Sequence, residues 1–412
     1  MPAAAELLLY HAYQAQADLM WPLRTLLRTA APMLEDSALS RPDHALQRQI
    51  AAACEVARLA EVTHRRPDWR IASINAAGAE FEVVEQVVQR TPFATLLRFH
   101  KPAAPAQARV LIVAPMSGHF ATLLRDTVST MLADHDVFIT DWHSARDVPL
   151  AAGPFGLTEY TEHLIQFLAT MGAGAHVIAI CQPCVAALAA VALMSEDGAA
   201  ATPASLTLMA GPIDCRISPT EVNKLATRQP IDWFERNLIS RVPWRHRGAG
   251  RRVYPGFVQL SAFMNMNRER HLNAFRDYHQ SLLAEEHDKA QAVRVFYEEY
   301  FAVADLPAEF FLETVRLIFQ EYALPRGELY VRGRRINPAA IRRTALVTVE
   351  GERDDICATG QTLAAQDLCS KLRPYLRTHY VQPGVGHYGV FSGKRWKNQI
   401  YPMVRDVIHV SQ

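Results

Sequence analysis

Short apolar runs alternate with helical patterns along this chain, and that alternation limits its fold more than any other feature. The runs RVLIVAP (109–115), DVFITDW (136–142), HVIAI (176–180), SLTLMAG (205–211), ALVTVEG (345–351) and THYVQPG (378–384) are mostly continuous in their apolarity. Continuous rather than alternating runs are what strands covered on both faces require. Helical spacing fills most of the intervals, over 119–134, 157–171, 184–196, 360–373 and 395–409. Strand and helix in turn predict an α/β chain with a doubly wound, mostly parallel sheet. Two β-rich runs, FEVVEQVVQR (81–90) and ATLLRFHK (94–101), come before the six and bring the expected strands to eight.

Between the sixth and seventh of those runs lie about 130 residues containing IDWFERNLIS, NAFRDYHQSLLAEEHDKAQAVRVFYEEYFAVA and PAEFFLETVRLIFQEYAL. A structureless loop of that length is improbable in a compact domain, so a helical cap inserted into the core is expected. Ahead of the strands, Leu7, Leu8, Tyr10 and His11, then Leu19, Met20, Leu23, Leu26 and Leu27, recur at helical spacing. The expected organisation is a helical N-terminal segment over 1–75, a first part of the core over 76–211, the cap over 212–343 and a second part of the core over 344–412.

Composition narrows the partners. With 43 Lys+Arg against 42 Asp+Glu the chain has a net charge of +1, too little to attract nucleic acid or an anionic membrane. No run reaches the ~18 apolar residues of a membrane span. The N-terminal stretch lacks a basic leader and is interrupted by Glu6, so no export is indicated. Six scattered cysteines suit a reducing compartment better than a disulfide framework, which makes the cytoplasm the expected location. Neither G-x-G-x-x-G nor G-x-x-x-x-G-K-[ST] occurs and zinc-like spacing is missing, so no cofactor and no metal are expected.

The segment HVIAICQPCVAALAAVALM runs from a strand into Cys181 and then almost at once into a helix. A nucleophile elbow of the α/β-hydrolase kind is built this way, with the reactive Ser or Cys on a tight turn and small residues two places to either side. Ala179 and Pro183 hold those places, and the helix N-terminus favours a thiolate. ALVTVEGERDDI then offers Asp354, with Asp355 as its rival, after a strand. YVQPGVGHYGVFSG puts His387 in a Gly-rich loop after the next one. Cys181, Asp354, His387 is the chain order nucleophile, acid, base. An oxyanion hole is expected from the amide of Gln182 and from one in the loop after RVLIVAP, where Met116 and Ser117 lie. Candidate substrate contacts are Ser117, His119, Trp233 and Phe234. Cys184 completes C-Q-P-C, also the layout of a thioredoxin-like site, but that reading leaves the Asp and His loops without a role.

The segments APMSGHFATLLRDTV, DVFITDWHSARDVPL, HVIAICQPCV, TLMAGPID, VEGERDDI and GVGHYGVFSG resemble those of the intracellular polyhydroxybutyrate depolymerases, relatives of cysteine-nucleophile polyester synthases. The resemblance covers nearly the whole chain. It implies an α/β-hydrolase fold, a Cys-Asp-His triad on Cys181, Asp354 and His387, and hydrolysis of amorphous poly(3-hydroxybutyrate) in cytoplasmic granules, so that the partner is the granule or its oligomers. The alternatives are another cysteine acyltransferase or esterase, such as a polyester synthase, and a granule-binding protein without catalysis. Synthases carry G-x-C-x-G where this chain has A-I-C-Q-P.

Overall fold

Eight strands make the central sheet in the computed structural model, which describes residues 9–22, 24–26, 29, 45–76, 78–266 and 268–411. In chain order they are Val84–Arg90 (β1), Ala94–His100 (β2), Arg109–Val113 (β3), Asp136–Trp142 (β4), His176–Ile180 (β5), Ser205–Met209 (β6), Ala345–Gly351 (β7) and Arg377–Gln382 (β8). Across the sheet the order is β8-β7-β6-β5-β3-β4-β2-β1. Only β2 runs against its neighbours, pairing antiparallel with β1 and β4. Every residue of β5, β6 and β7 is buried, because helices cover both faces of the parallel part. This is the α/β-hydrolase architecture, and the insertion enters between the sixth and seventh strands.

The helices that carry the sheet are Arg125–Met131 (α3), Leu157–Met171 (α4) and Cys184–Glu196 (α5), preceded by a helix over 9–22 (α1) and by Ala45–Leu59 (α2). The sequence of α5, CVAALAAVALMSE, is apolar all round, as a helix enclosed on every side must be. Of the N-terminal residues expected to be helical, 60–72 form no helix. Pro67 has no amide to donate, and the extended segment instead buries Trp69 against Phe99, with Arg125 donating to the Trp69 and Asp68 carbonyls. Ser73–Ala76 then forms a hairpin with Ala79–Glu82. Leu7, Leu8, Leu23 and Leu27 lie outside the described residues.

The insertion is only partly helical. It contains Glu221–Arg228 (α6), Ile231–Leu238 (α7), Gly256–Met266 (α8), Arg268–Leu283 (α9) and His287–Tyr300 (α10). It also contains a small antiparallel sheet in which Arg252–Tyr254 pairs with Ser240–Arg241 and Leu306–Pro307. Pairs this short carry no periodicity that a sequence reading could register. The helix expected over 360–373 is confined to Ala364–Leu368, because buried Glu350 takes the amides of Gly360, Thr362 and Leu363 at 2.8–2.9 Å and holds the preceding residues in a loop. No helix of the described residues is long and apolar enough to cross a membrane.

Candidate active site

Strand β5 ends at Ile180, and the next residue, Cys181, has a φ of 68°. A non-glycine residue in the left-handed region costs of the order of 1–3 kcal/mol, and the surroundings must impose it. They do so on both sides of the turn. The Cys181 amide donates to the Met209 carbonyl at 2.8 Å, and the Cys181 carbonyl accepts from the Cys184 amide at 3.2 Å. The turn projects a half-exposed Cys181 from the carboxyl edge of the sheet at the mouth of α5. Gly211, just beyond β6, lets this happen: a Cβ there would lie 2.3 Å from the Cys184 Cβ and 3.2 Å from the Cys181 carbonyl oxygen. Cys184 points the other way, into the core, with its thiol directed at the Ala179 and Met209 carbonyls. Burial, then the nearby Cys181 charge, pushes the Cys184 thiol far up, so it stays protonated and inert.

Asp354 and His387 meet at the same edge. The loop after β7 is tied to the loop after β8 by Glu352 N–H to the Gln382 carbonyl (3.0 Å) and Arg353 N–H to the Val385 carbonyl (2.9 Å). Within that frame Asp354 Oδ1 accepts from the amides of Ile356 and Cys357 at 2.9 and 2.8 Å, while Oδ2 lies 2.8 Å from His387 Nδ1. Both side chains are buried, and Asp355 is exposed. Burial of His387 opposes its charged form, but the charges of Cys181 and Asp354 outweigh it and hold the imidazole well above its ordinary pKa. Nδ1 is committed to Asp354, which leaves Nε2 for Cys181.

The loop after β3 closes the site. The Met116 amide donates to Gln182 Oε1 at 3.4 Å, whereas the amides of Ser117 and Gln182 have no hydrogen-bond partner among the described residues. His119 is buried between this loop and the cap. It contacts the Tyr300 carbonyl through Nε2 at 3.1 Å and stacks on Phe263, and burial lowers its pKa to about 4. The cap fastens the loop further through Ala304 N–H to the Gly118 carbonyl at 2.9 Å. Tyr388, beside the histidine, faces Phe296 of α10 with ring centroids 6.2 Å apart, so α10 stands over the site. Trp233 and Phe234 are elsewhere: Phe234 packs with Ala226 and Val315, and Trp233 lies against Phe234. Gly211, Glu350 and Tyr388 were not singled out by sequence reasoning. The glycine directly after the SLTLMA run was the one available signal.

A mostly parallel sheet with a strand-turn-helix elbow and an Asp-His pair on the following strand loops defines an α/β-hydrolase, here a hydrolase of carboxylic esters. Residues 210–412, just under half of the chain, match the family model described as PHB de-polymerase C-terminus. The match includes Asp354 and His387 and begins after Cys181. No curated protein sequence matches the chain. Among solved structures it is similar to a protein of Acinetobacter baumannii AYE described as a lipase, at 11% identity and a TM-score of 0.46 over 80% of this chain and 93% of that one. It is also similar to 2-hydroxy-6-oxo-6-phenylhexa-2,4-dienoate hydrolase from Rhodococcus sp. strain RHA1, at 12% identity and a TM-score of 0.42 over 80% of this chain and 99% of that one. A third is a thermophilic esterase from Thermogutta terrifontis, at 13% identity and a TM-score of 0.40 over 79% and 99%.

Proposed function

We propose that this chain is a poly(3-hydroxybutyrate) depolymerase that cleaves the ester bonds of amorphous polyester granules in the cytoplasm, with Cys181 as nucleophile, His387 as base and Asp354 as its orienting acid. The observation that carries the reading is the 2.8 Å Asp354–His387 bond at the sheet edge where Cys181 is held at positive φ. In the first half-reaction the Cys181 sulfur, its proton held on His387 Nε2, attacks the ester carbonyl. The tetrahedral oxyanion is held by backbone amides, among them that of Gln182. Collapse expels the alkoxide, which takes the proton from Nε2 and leaves a thioester on Cys181. Water then gives a proton to Nε2 and attacks the thioester; the acid departs and the thiol is restored. Asp354, fixed by two amides, keeps the Nδ1–H tautomer and stabilises the imidazolium in both steps.

Release of 3-hydroxybutyrate from amorphous granules, titrated for the wild-type protein and for Cys181→Ala, tests the reading. It requires acid release by the wild type and none by the variant. Activity on nitrophenyl butyrate with none on granules or soluble 3-hydroxybutyrate oligomers would reject the substrate while keeping the chemistry.

A further inference from the structure

The side chain of Gln182 is a polar group at this site that the triad does not use. Its Oε1 accepts from the Met116 amide at 3.4 Å, and that amide belongs to the loop after β3, from which an oxyanion-hole donor is expected. The bond is long against the 2.9–3.0 Å norm for N–H···O and correspondingly weak. The other end of the same carboxamide is worse off. Gln182 is 8% exposed, and its Nε2 is buried with no hydrogen-bond partner among the described residues. A buried unsatisfied donor carries a desolvation cost that a partner would remove. The resting position of this side chain therefore combines one weak bond with one unmet donor, and it is easy to leave.

We infer that the Gln182 carboxamide is a displaceable plug of the oxyanion hole that selects polyesters over simple esters: its Oε1 stands in for the scissile carbonyl at the Met116 amide, and on displacement its Nε2 donates to a neighbouring ester carbonyl of the same chain. The inference rests on the proposed nucleophile Cys181, whose successor in the sequence Gln182 is. A substrate carbonyl that takes the Met116 amide pushes Oε1 out. In a monoester no second carbonyl follows, so the displaced Nε2 gains nothing. A chain of 3-hydroxybutyrate units carries a carbonyl in every unit, and the displaced donor finds an acceptor there. The same rotation then exchanges an orphaned N–H for a satisfied one, which favours the polymer at the step where the oxyanion site opens. Gln182 thus acts twice, by its backbone amide on the reacting oxygen and by its side chain on the identity of the substrate.

The test compares kcat/KM for nitrophenyl butyrate and for a soluble 3-hydroxybutyrate trimer in the wild type, Gln182→Met and Gln182→Ala, with thermal melting of each to establish folding. Met keeps the length of Gln without its polar atoms. Both variants remove the plug, so the monoester rate should rise by about threefold, while the trimer rate should fall by about tenfold, the size of one lost neutral hydrogen bond. Opposite movement of the two substrates is the signature. Parallel losses on both would make the side chain a brace for the Met116 loop and overturn the inference, as would rates unchanged on both. Cys181→Ala, assayed alongside, separates the two levels: if it retains esterase activity the nucleophile is wrong, whereas if it is dead and the Gln182 substrates move together only the plug is wrong.

Discussion

The sheet edge and the inserted cap hold their residues by different means. At the edge, Cys181, Asp354 and His387 stand on turns whose backbone is bonded to neighbouring strands and loops: the Cys181 amide to Met209, Arg353 to Val385, Glu352 to Gln382. Moving the turns that carry Cys181 and Asp354 means breaking these backbone bonds. Helices α9 and α10 of the cap instead pack through a small aromatic cluster of Tyr278, Tyr297, Tyr300 and Phe301, and their outer faces carry exposed ion pairs such as Lys289–Glu286. Exposed pairs of this kind add little, typically under ~1 kcal/mol each. Under the proposed mechanism, bond-making chemistry falls to the edge and substrate access to the cap. Substitutions at the edge should therefore stop turnover on every ester, and those on the cap should act on some substrates more than others.

The largest expected effect is at the elbow. Cys181→Ala should lower turnover on any ester by about 10⁴-fold or more, while Cys184→Ala, whose thiol faces the core, should retain most activity. Equal loss in both would move the nucleophile or point to a dithiol mechanism. Next comes the acid. Asp354→Asn should cost about 10³–10⁴ in kcat, because Asn can still accept from Ile356 and Cys357 but presents the wrong partner to His387 Nδ1. Melting should move little, and the exposed Asp355→Asn should stay within about threefold of wild type. The reverse ranking would place the acid one residue later.

A smaller and selective effect is expected at the cap surface. Trp244 is 85% exposed, beside α1 through the Arg245–Asp18 ion pair. Trp244→Ser should reduce granule cleavage by about tenfold and change nitrophenyl butyrate hydrolysis by less than about twofold, as loss of an apolar anchor would. Parallel changes on both substrates would remove the surface from granule attachment. Smallest is the dependence of stability on pH. Burial lowers the pKa values of His119, His135 and His176 to about 4 each. The unfolded chain then binds more protons than the folded one between about pH 6.5 and 4, so stability should decline as pH falls through that window and level off below it. Melting temperatures between pH 7.5 and 4.5 check this. A flat profile would mean that these histidines are not held neutral in the fold.

What could be read in the sequence follows the same division. DVFITDW, HVIAI and ALVTVEG are strands over 136–142, 176–180 and 345–351, and the helices expected over 157–171 and 184–196 begin and end at those residues. Each is set by a continuous apolar run and its own breakers, which are local signals. Strand ends also locate Cys181, Asp354 and His387, because chemistry in such a sheet gathers at its carboxyl edge. The features that were missed depend on contacts between distant segments. Glu350 looks like one more strand residue until its carboxylate is seen to hold residues 360–363. Trp233 and Phe234 promised a binding surface, but their neighbours are Phe311, Val315 and Ala226 within the insertion.

In the proposed mechanism an ester passes through a covalent thioester on Cys181. Reacting the protein with nitrophenyl 3-hydroxybutyrate, quenching in acid within the first turnover and mapping the adduct by peptide mass spectrometry tests it directly. A 3-hydroxybutyryl group is expected on the peptide containing Cys181, released by hydroxylamine and accumulating when Asp354→Asn slows the water step. An adduct on Ser117 or Cys184, or turnover with Cys181 never acylated, would contradict it.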